Sequence, residues 1–166
     1  MGQGAVSSLI RWGTDSPYSH VAVVASERLK LIIEAVPHGG VRAISVENYK
    51  TPYDIFRVKK PESYNLNDVV GYLVRMLARN YDFESTRRLA WRFLLKKIGL
   101  IQLAVLKATN QKEKADSLQQ NQDYFCSELC YLAFKAGGLD IVPQIADAEV
   151  TSPADIAASP LIQKVN

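Results

Sequence analysis

A chain of 166 residues, 48% hydrophobic and 22% charged, has the composition of one globular domain and excludes a disordered or fibrous protein. The net charge of +3 is too small for a basic protein overall, yet it is unevenly placed: from Glu84 to Lys107 six bases (Arg87, Arg88, Arg92, Lys96, Lys97, Lys107) stand against one acid, so this stretch carries +5 and the remainder −2. Two cysteines cannot make a disulfide scaffold, and Met1 to Val6 has neither the basic start and apolar core of a signal peptide nor the Ser/Thr of a myristoylation signal, so free thiols and a cytoplasmic address are expected.

Ser7 to Trp12 reads as a short opening helix that stops at Gly13, followed by a turn through Asp15-Ser16-Pro17. His20 to Ala25 is short, continuous and apolar, as a buried strand is, and Leu31 to Val36 is a second strand across the polar turn Ser26 to Lys30. A third strand is expected near Val41 to Val46 and a fourth near Tyr53 to Val58, together an antiparallel meander. After Pro61 the apolar period lengthens to the helical one: Val69, Val70, Leu73 and Leu77 share a face, with Asn65 or Asn67 as cap. Leu89 to Leu106 is a second amphipathic stretch, its internal charges Arg92, Lys96 and Lys97 making it a poor bilayer span. Asn110 to Asp123 has the composition of a polar connector. A helix from about Tyr124 to Ala136 then ends at Gly137-Gly138 in the place of a left-handed cap, and Pro153 is placed to open a short last helix. No internal repeat, phosphate loop or long linker divides the chain, so one domain over 1–166 is expected, carrying a helical, basic insertion at about 84–123.

A thiol at its ordinary pKa of ~8.5 is mostly protonated at neutral pH, so a nucleophilic cysteine needs a helix start or a neighbouring imidazolium. Cys126 lies in the first turn of its expected helix, where unpaired N–H groups and the dipole favour a thiolate and can hold an oxyanion; Cys130, one turn on, has neither advantage and reads as a core residue. Of two histidines, His38 falls in the Pro37-His38-Gly39-Gly40 turn, whereas His20 heads a buried strand and is the better base. Glu34 is the one charge inside Leu31 to Val36, costly there unless paired, and a cross-strand place beside His20 would make it the group that orients the ring.

Ser16-Pro17-Tyr18-Ser19-His20-Val21-Ala22-Val23-Val24, Glu34-Ala35, Tyr81-Asp82-Phe83, Tyr124-Phe125-Cys126-Ser127-Glu128-Leu129 and Thr151-Ser152-Pro153-Ala154-Asp155-Ile156 together resemble the circularly permuted NlpC-type papain-like cysteine hydrolases, the YiiX/YaeF-like group. The histidine precedes the cysteine, as in that permuted branch. The resemblance spans nearly the whole chain and implies a papain-like α+β fold, an antiparallel sheet packed against helices, with Cys126 as nucleophile, His20 as base and Glu34 as third member. It also implies that Tyr81 stands near the nucleophile, its hydroxyl helping to bind the oxyanion. The span from Phe83 to Asp123 is longer than the group leads one to expect.

The expected function is therefore peptidase or amidase chemistry through an acyl-enzyme on a peptide, amide or acyl-ester substrate, with no metal or organic cofactor and no nucleic-acid partner. Three alternatives stand beside it. A lipid acyl hydrolase or acyltransferase of the same fold would use the apolar, basic insertion, whose 87–97 helix is also a candidate for peripheral contact with anionic lipid or polymer. A non-catalytic binding module would keep the fold with an ordinary Cys126 thiol. A metal module would draw on Cys126, Cys130, His20 and His38, although the histidines lack the close spacing of zinc ligands and Glu34 would then have no role.

Overall fold

The computed structural model describes residues 8, 11–12, 14–36, 39–50, 52–79, 125–145, 148 and 151–165. Within them the fold is α+β, with antiparallel sheets and a few helices. Ser8, Arg11, Trp12 and Thr14 have helical backbone, the last of them beyond the expected stop at Gly13. The Leu89 to Leu106 stretch, the insertion at about 84–123 that contains it, and the connector to Asp123 lie outside the described residues, as do His38 and Tyr81.

Strands β1 (Val23–Ser26), β2 (Leu31–Val36) and β3 (Gly40–Ser45) form an antiparallel meander with β2 in the centre. The β1–β2 turn closes through Lys30, left-handed at φ 51°, whose N–H bonds the Glu27 carbonyl at 3.1 Å, while the Ser26 hydroxyl accepts from Leu29 N–H. A register shift between Val24 and Ser26 adds a bulge at this end. Central position explains the composition of β2. Ile33 and Ala35 point into the main core, and alternation sends Ile32 and Glu34 to the opposite face, where they are buried as well.

The expected fourth strand exists, as β4 (Ile55–Val58), but it does not extend the meander. It pairs antiparallel with a C-terminal strand, β5 (Ile162–Val165), in a separate two-stranded sheet. With only two apolar residues in four, Ile162-Gln163-Lys164-Val165 is too short and too polar to announce itself as a strand; its partner supplies the order.

Helix α1 (Leu66–Arg75) begins at Asn65, whose side chain accepts from Asn67 N–H at 3.0 Å, and it buries Val69 and Leu73. Helix α2 (Cys126–Ala136) packs against β2 and α1, with Leu129, Cys130, Tyr131 and Ala133 in the core. A short α3 (Pro153–Ala157) lies against it, opened by Pro153 and by a capping box between Ser152 and Asp155. The end of α2 explains one glycine. Asn65 N–H bonds the Gly137 carbonyl at 2.8 Å, and a Cβ on Gly137 would sit 2.4 Å from Val69 Cγ2 and 2.9 Å from Asn65 O, so only glycine lets the two helix ends meet this closely. The left-handed residue of the cap is the next one, Gly138, at φ 90°. Among the described residues, no helix is long and apolar enough to cross a membrane.

Candidate active site

Cys126 is the first residue of α2. Phe125 precedes it in an extended conformation and offers no capping side chain, so the positive end of the helix dipole is presented to the sulfur itself. The residues that follow are locked in place: the Ser127 hydroxyl, fully buried, donates to the Thr151 carbonyl at 2.6 Å, and Leu129 N–H returns to the Phe125 carbonyl at 3.0 Å. The His20 side chain and the backbone N–H groups of Val21 and Ser127 act on the sulfur in favour of its charged form.

His20 stands three residues ahead of β1, not at the head of a strand as expected. The ladder stops at the Val23–Ile33 pair because the segment before it is engaged elsewhere. The Val21 N–H helps to stabilise the Cys126 sulfur, and Tyr18 donates its hydroxyl to Asp54 Oδ2 at 2.6 Å while its ring meets Phe56 edge-on at 5.6 Å. Asp54 in turn accepts from Lys164 of β5 at 2.8 Å, so the second sheet anchors the turn that presents the histidine.

Glu34 is one residue beyond the last β1–β2 pair and 1% exposed. His20 Nε2 is 2.7 Å from Glu34 Oε2, which leaves Nδ1 as the ring nitrogen for the sulfur. The other carboxylate oxygen, Oε1, accepts from Arg42 Nε at 2.9 Å and Nη2 at 2.8 Å, and the Tyr49 hydroxyl donates to Oε2. The structure thus brings Cys126, His20 and Glu34 into one hydrogen-bonded chain.

The electrostatics follow from this geometry. Burial alone would push the Cys126 thiol up, but the charge and hydrogen bond of His20 and the two backbone N–H groups overcome it and hold the thiol below its ordinary value. Burial would likewise lower His20, yet the thiolate on one side and Glu34 on the other raise it to about 10. For Glu34 burial is again the largest single effect and again loses: donors from His20, Tyr49 and Arg42 lower the carboxyl to about 2. A thiolate, an imidazolium and a carboxylate can therefore coexist at neutral pH. Among the described residues Cys130 has no such partners; burial, and then the nearby Cys126 charge, push it up to about 12.

Both cysteines are free and buried, as expected for an unlinked pair four residues apart in a helix. Among the described residues, no group of three or more His, Cys, Asp or Glu side chains could hold a metal ion. Sequence reasoning missed Arg42 and Tyr49. Arg42 lies directly opposite Glu34 across the β2–β3 ladder, a pairing set by register, which a strand expected near Val41 to Val46 leaves open. Tyr49 had no local signal, since it reaches Glu34 only because the 3-10 turn Val46–Asn48 folds the chain back after β3. No protein-family model, curated protein or solved structure matches this chain.

Proposed function

We propose that this protein is a cysteine-nucleophile hydrolase of papain-like, permuted NlpC type, with peptidase or amidase activity. The observation that carries the reading is a thiol at the first residue of an uncapped helix, hydrogen-bonded to an imidazole whose other nitrogen lies 2.7 Å from a buried carboxylate. Nucleophile, base and orienter is the arrangement that acyl transfer requires, and each member has a separate backbone element to hold it.

In this mechanism the Cys126 sulfur attacks a substrate carbonyl carbon and the carbonyl π pair moves onto oxygen, where N–H groups of the first turn of α2 stabilise the oxyanion. The tetrahedral intermediate collapses as the carbon–nitrogen bond breaks, and His20 gives its Nδ1 proton to the leaving amine. A water then attacks the thioester, passes a proton to His20, and releases the acid with the thiolate restored. Glu34 keeps the Nε2 proton in place throughout. A thiolate nucleophile without a disulfide partner works in a reducing environment, so the reading includes a cytoplasmic address.

The test is the pH dependence of alkylation at each cysteine, read by mass spectrometry on the intact chain, followed by a panel of peptide, amide and acyl-ester probes. Cys126 is expected to react well below pH ~8.5, where an ordinary thiol is mostly protonated, and ahead of Cys130. Turnover is expected to vanish in Cys126→Ser. Two equally sluggish thiols in the folded protein would refute the proposal.

A further inference from the structure

Glu34 has more partners than orienting a histidine requires. One hydrogen bond from His20 suffices to fix a ring tautomer, yet three further donor groups converge on this carboxylate from β3 and from the turn after it: Arg42 Nε, Arg42 Nη2 and the Tyr49 hydroxyl. They are not spread at random. Arg42 occupies Oε1 alone, at 2.9 and 2.8 Å, while Tyr49 donates to Oε2, the same oxygen that faces His20. The partners are themselves held: Arg42 is the direct cross-strand neighbour of Glu34, and the Tyr49 ring packs edge-on against Tyr53 at 6.1 Å.

We propose that Arg42 and Tyr49 are positioning residues of this site, forming a clamp that keeps the Glu34 carboxylate charged and turned so that one oxygen stays aimed at His20. The inference rests on the catalytic reading above and assigns to it two members. Its physical basis is competition for a proton. A carboxylate buried to 1% exposure with an imidazolium as its only partner is a strong base toward that ring, and drawing the Nε2 proton across would leave a neutral imidazole unable to hold the thiolate. The Arg42 charge removes that incentive, and the Tyr49 hydroxyl lowers the proton affinity of the oxygen nearest the ring. The charges facing Glu34 are then complete from every described element that supplies a partner: His20 ahead of β1, Arg42 on β3, Tyr49 after the 3-10 turn, and Cys126 on α2 acting through His20. Two positive and two negative groups alternate along one chain of hydrogen bonds.

Two readouts test the clamp, and the first does not depend on catalysis. The Glu34 carboxyl carbon, labelled with 13C and assigned by its loss in Glu34→Gln, is expected to show no NMR inflection in the ordinary carboxylate range in the wild-type chain, and to move up by about one pH unit or more in Arg42→Gln. Tyr49→Phe and Arg42→Lys are expected to give smaller upward shifts, the lysine keeping a charge but not the two-toothed grip. The second readout is the acid limb of Cys126 alkylation by iodoacetamide, which is expected to shift upward in Arg42→Gln and to shift much less when the same change is made on Glu34→Gln. An unmoved Glu34 titration in Arg42→Gln would overturn the clamp, as would an equal alkylation shift in both backgrounds, which would mean that Arg42 acts on the thiol through space. Should Arg42→Gln not fold, Arg42→Lys and Tyr49→Phe decide the question by the same measurements. An ordinary wild-type Cys126 would defeat the catalytic reading alone, because the Glu34 titration still tests the clamp.

Discussion

Cys126 and Cys130 sit one turn apart on the same helix, are both buried, and yet are driven in opposite directions: the first thiol is held below its ordinary value and the second is pushed up to about 12. Burial is the largest single influence on each, and it acts the same way on both. What separates them is what burial brings alongside. Cys126 is buried against an imidazole and two backbone N–H groups at a helix start, whereas the elements around Cys130 supply apolar side chains and the negative charge of Cys126 itself. A buried cysteine is thus made reactive by its polar contacts and made inert by their absence, and four residues of sequence are enough to cross from one state to the other.

The largest expected break in this contrast comes from His20→Ala. Removing the imidazole takes away the principal charge that opposes burial, so Cys126 alkylation should fall toward that of Cys130, and any turnover should drop by about 10²–10⁴-fold, the usual contribution of a positioned acid–base group. Kinetics of alkylation at both sulfurs in one sample read this directly.

The next effect is on stability against pH. The folded carboxyl of Glu34, at about 2, is depressed below its unfolded value of ~4.3, so its contribution is present above pH ~4.3 and is lost as pH falls through about 2. His20 runs the other way: raised to about 10, its contribution is full below its unfolded pKa of ~6.5 and is lost as pH rises through about 10. Glu34→Gln should therefore flatten the acid side of the stability curve by up to about 3 kcal/mol and, because Glu34 also helps to raise His20, weaken the alkaline limb as well; denaturant titrations across pH check both limbs. An acid limb identical in wild type and Glu34→Gln would mean that the carboxylate is not held as its geometry indicates.

Gly137→Ala sharpens the contrast by moving stability without touching the site. The new methyl would collide with Val69 and the Asn65 carbonyl, costing about 1–3 kcal/mol through displaced helix ends, while the ratio of Cys126 to Cys130 alkylation in the folded protein stays as in wild type. A changed ratio would show that the α1–α2 junction tunes the helix start.

The smallest effect is expected from Cys130→Ala. Loss of one buried sulfur from the core should cost about 1 kcal/mol in a thermal or denaturant melt, and turnover should be retained. Loss of activity comparable to that of Cys126→Ser would assign Cys130 a role its surroundings do not suggest.

Much of this was legible in the chain. The span Leu31 to Val36, a cap at Asn65 or Asn67, the opening of α3 at Pro153 and the start of α2 near Cys126 are local matters, decided by side-chain periodicity and by which residues can satisfy exposed N–H groups, and the structure agrees, with Asn65 taking the cap. Glu34 could be singled out for the same kind of reason, since an acid inside an apolar strand demands a partner wherever it folds. The identity of that partner set was another matter. Arg42 meets Glu34 because the β2–β3 register sets it directly opposite, and a shift of one residue would exchange every cross-strand neighbour.

The sequence by itself determined where some elements begin, β2 at Leu31 and the helices at Leu66 and Pro153 among them, and which side chains could do chemistry, because capping, periodicity and the cost of a lone buried charge act over a few residues. Only the tertiary structure decided that Ile55–Val58 leaves the meander for Ile162–Val165, that His20 stands off the ladder with Val21 N–H on the sulfur, and that Arg42 and Tyr49 close on one carboxylate. Those choices set partners far apart in the chain against one another, and their outcome depends on register and burial that no local window contains.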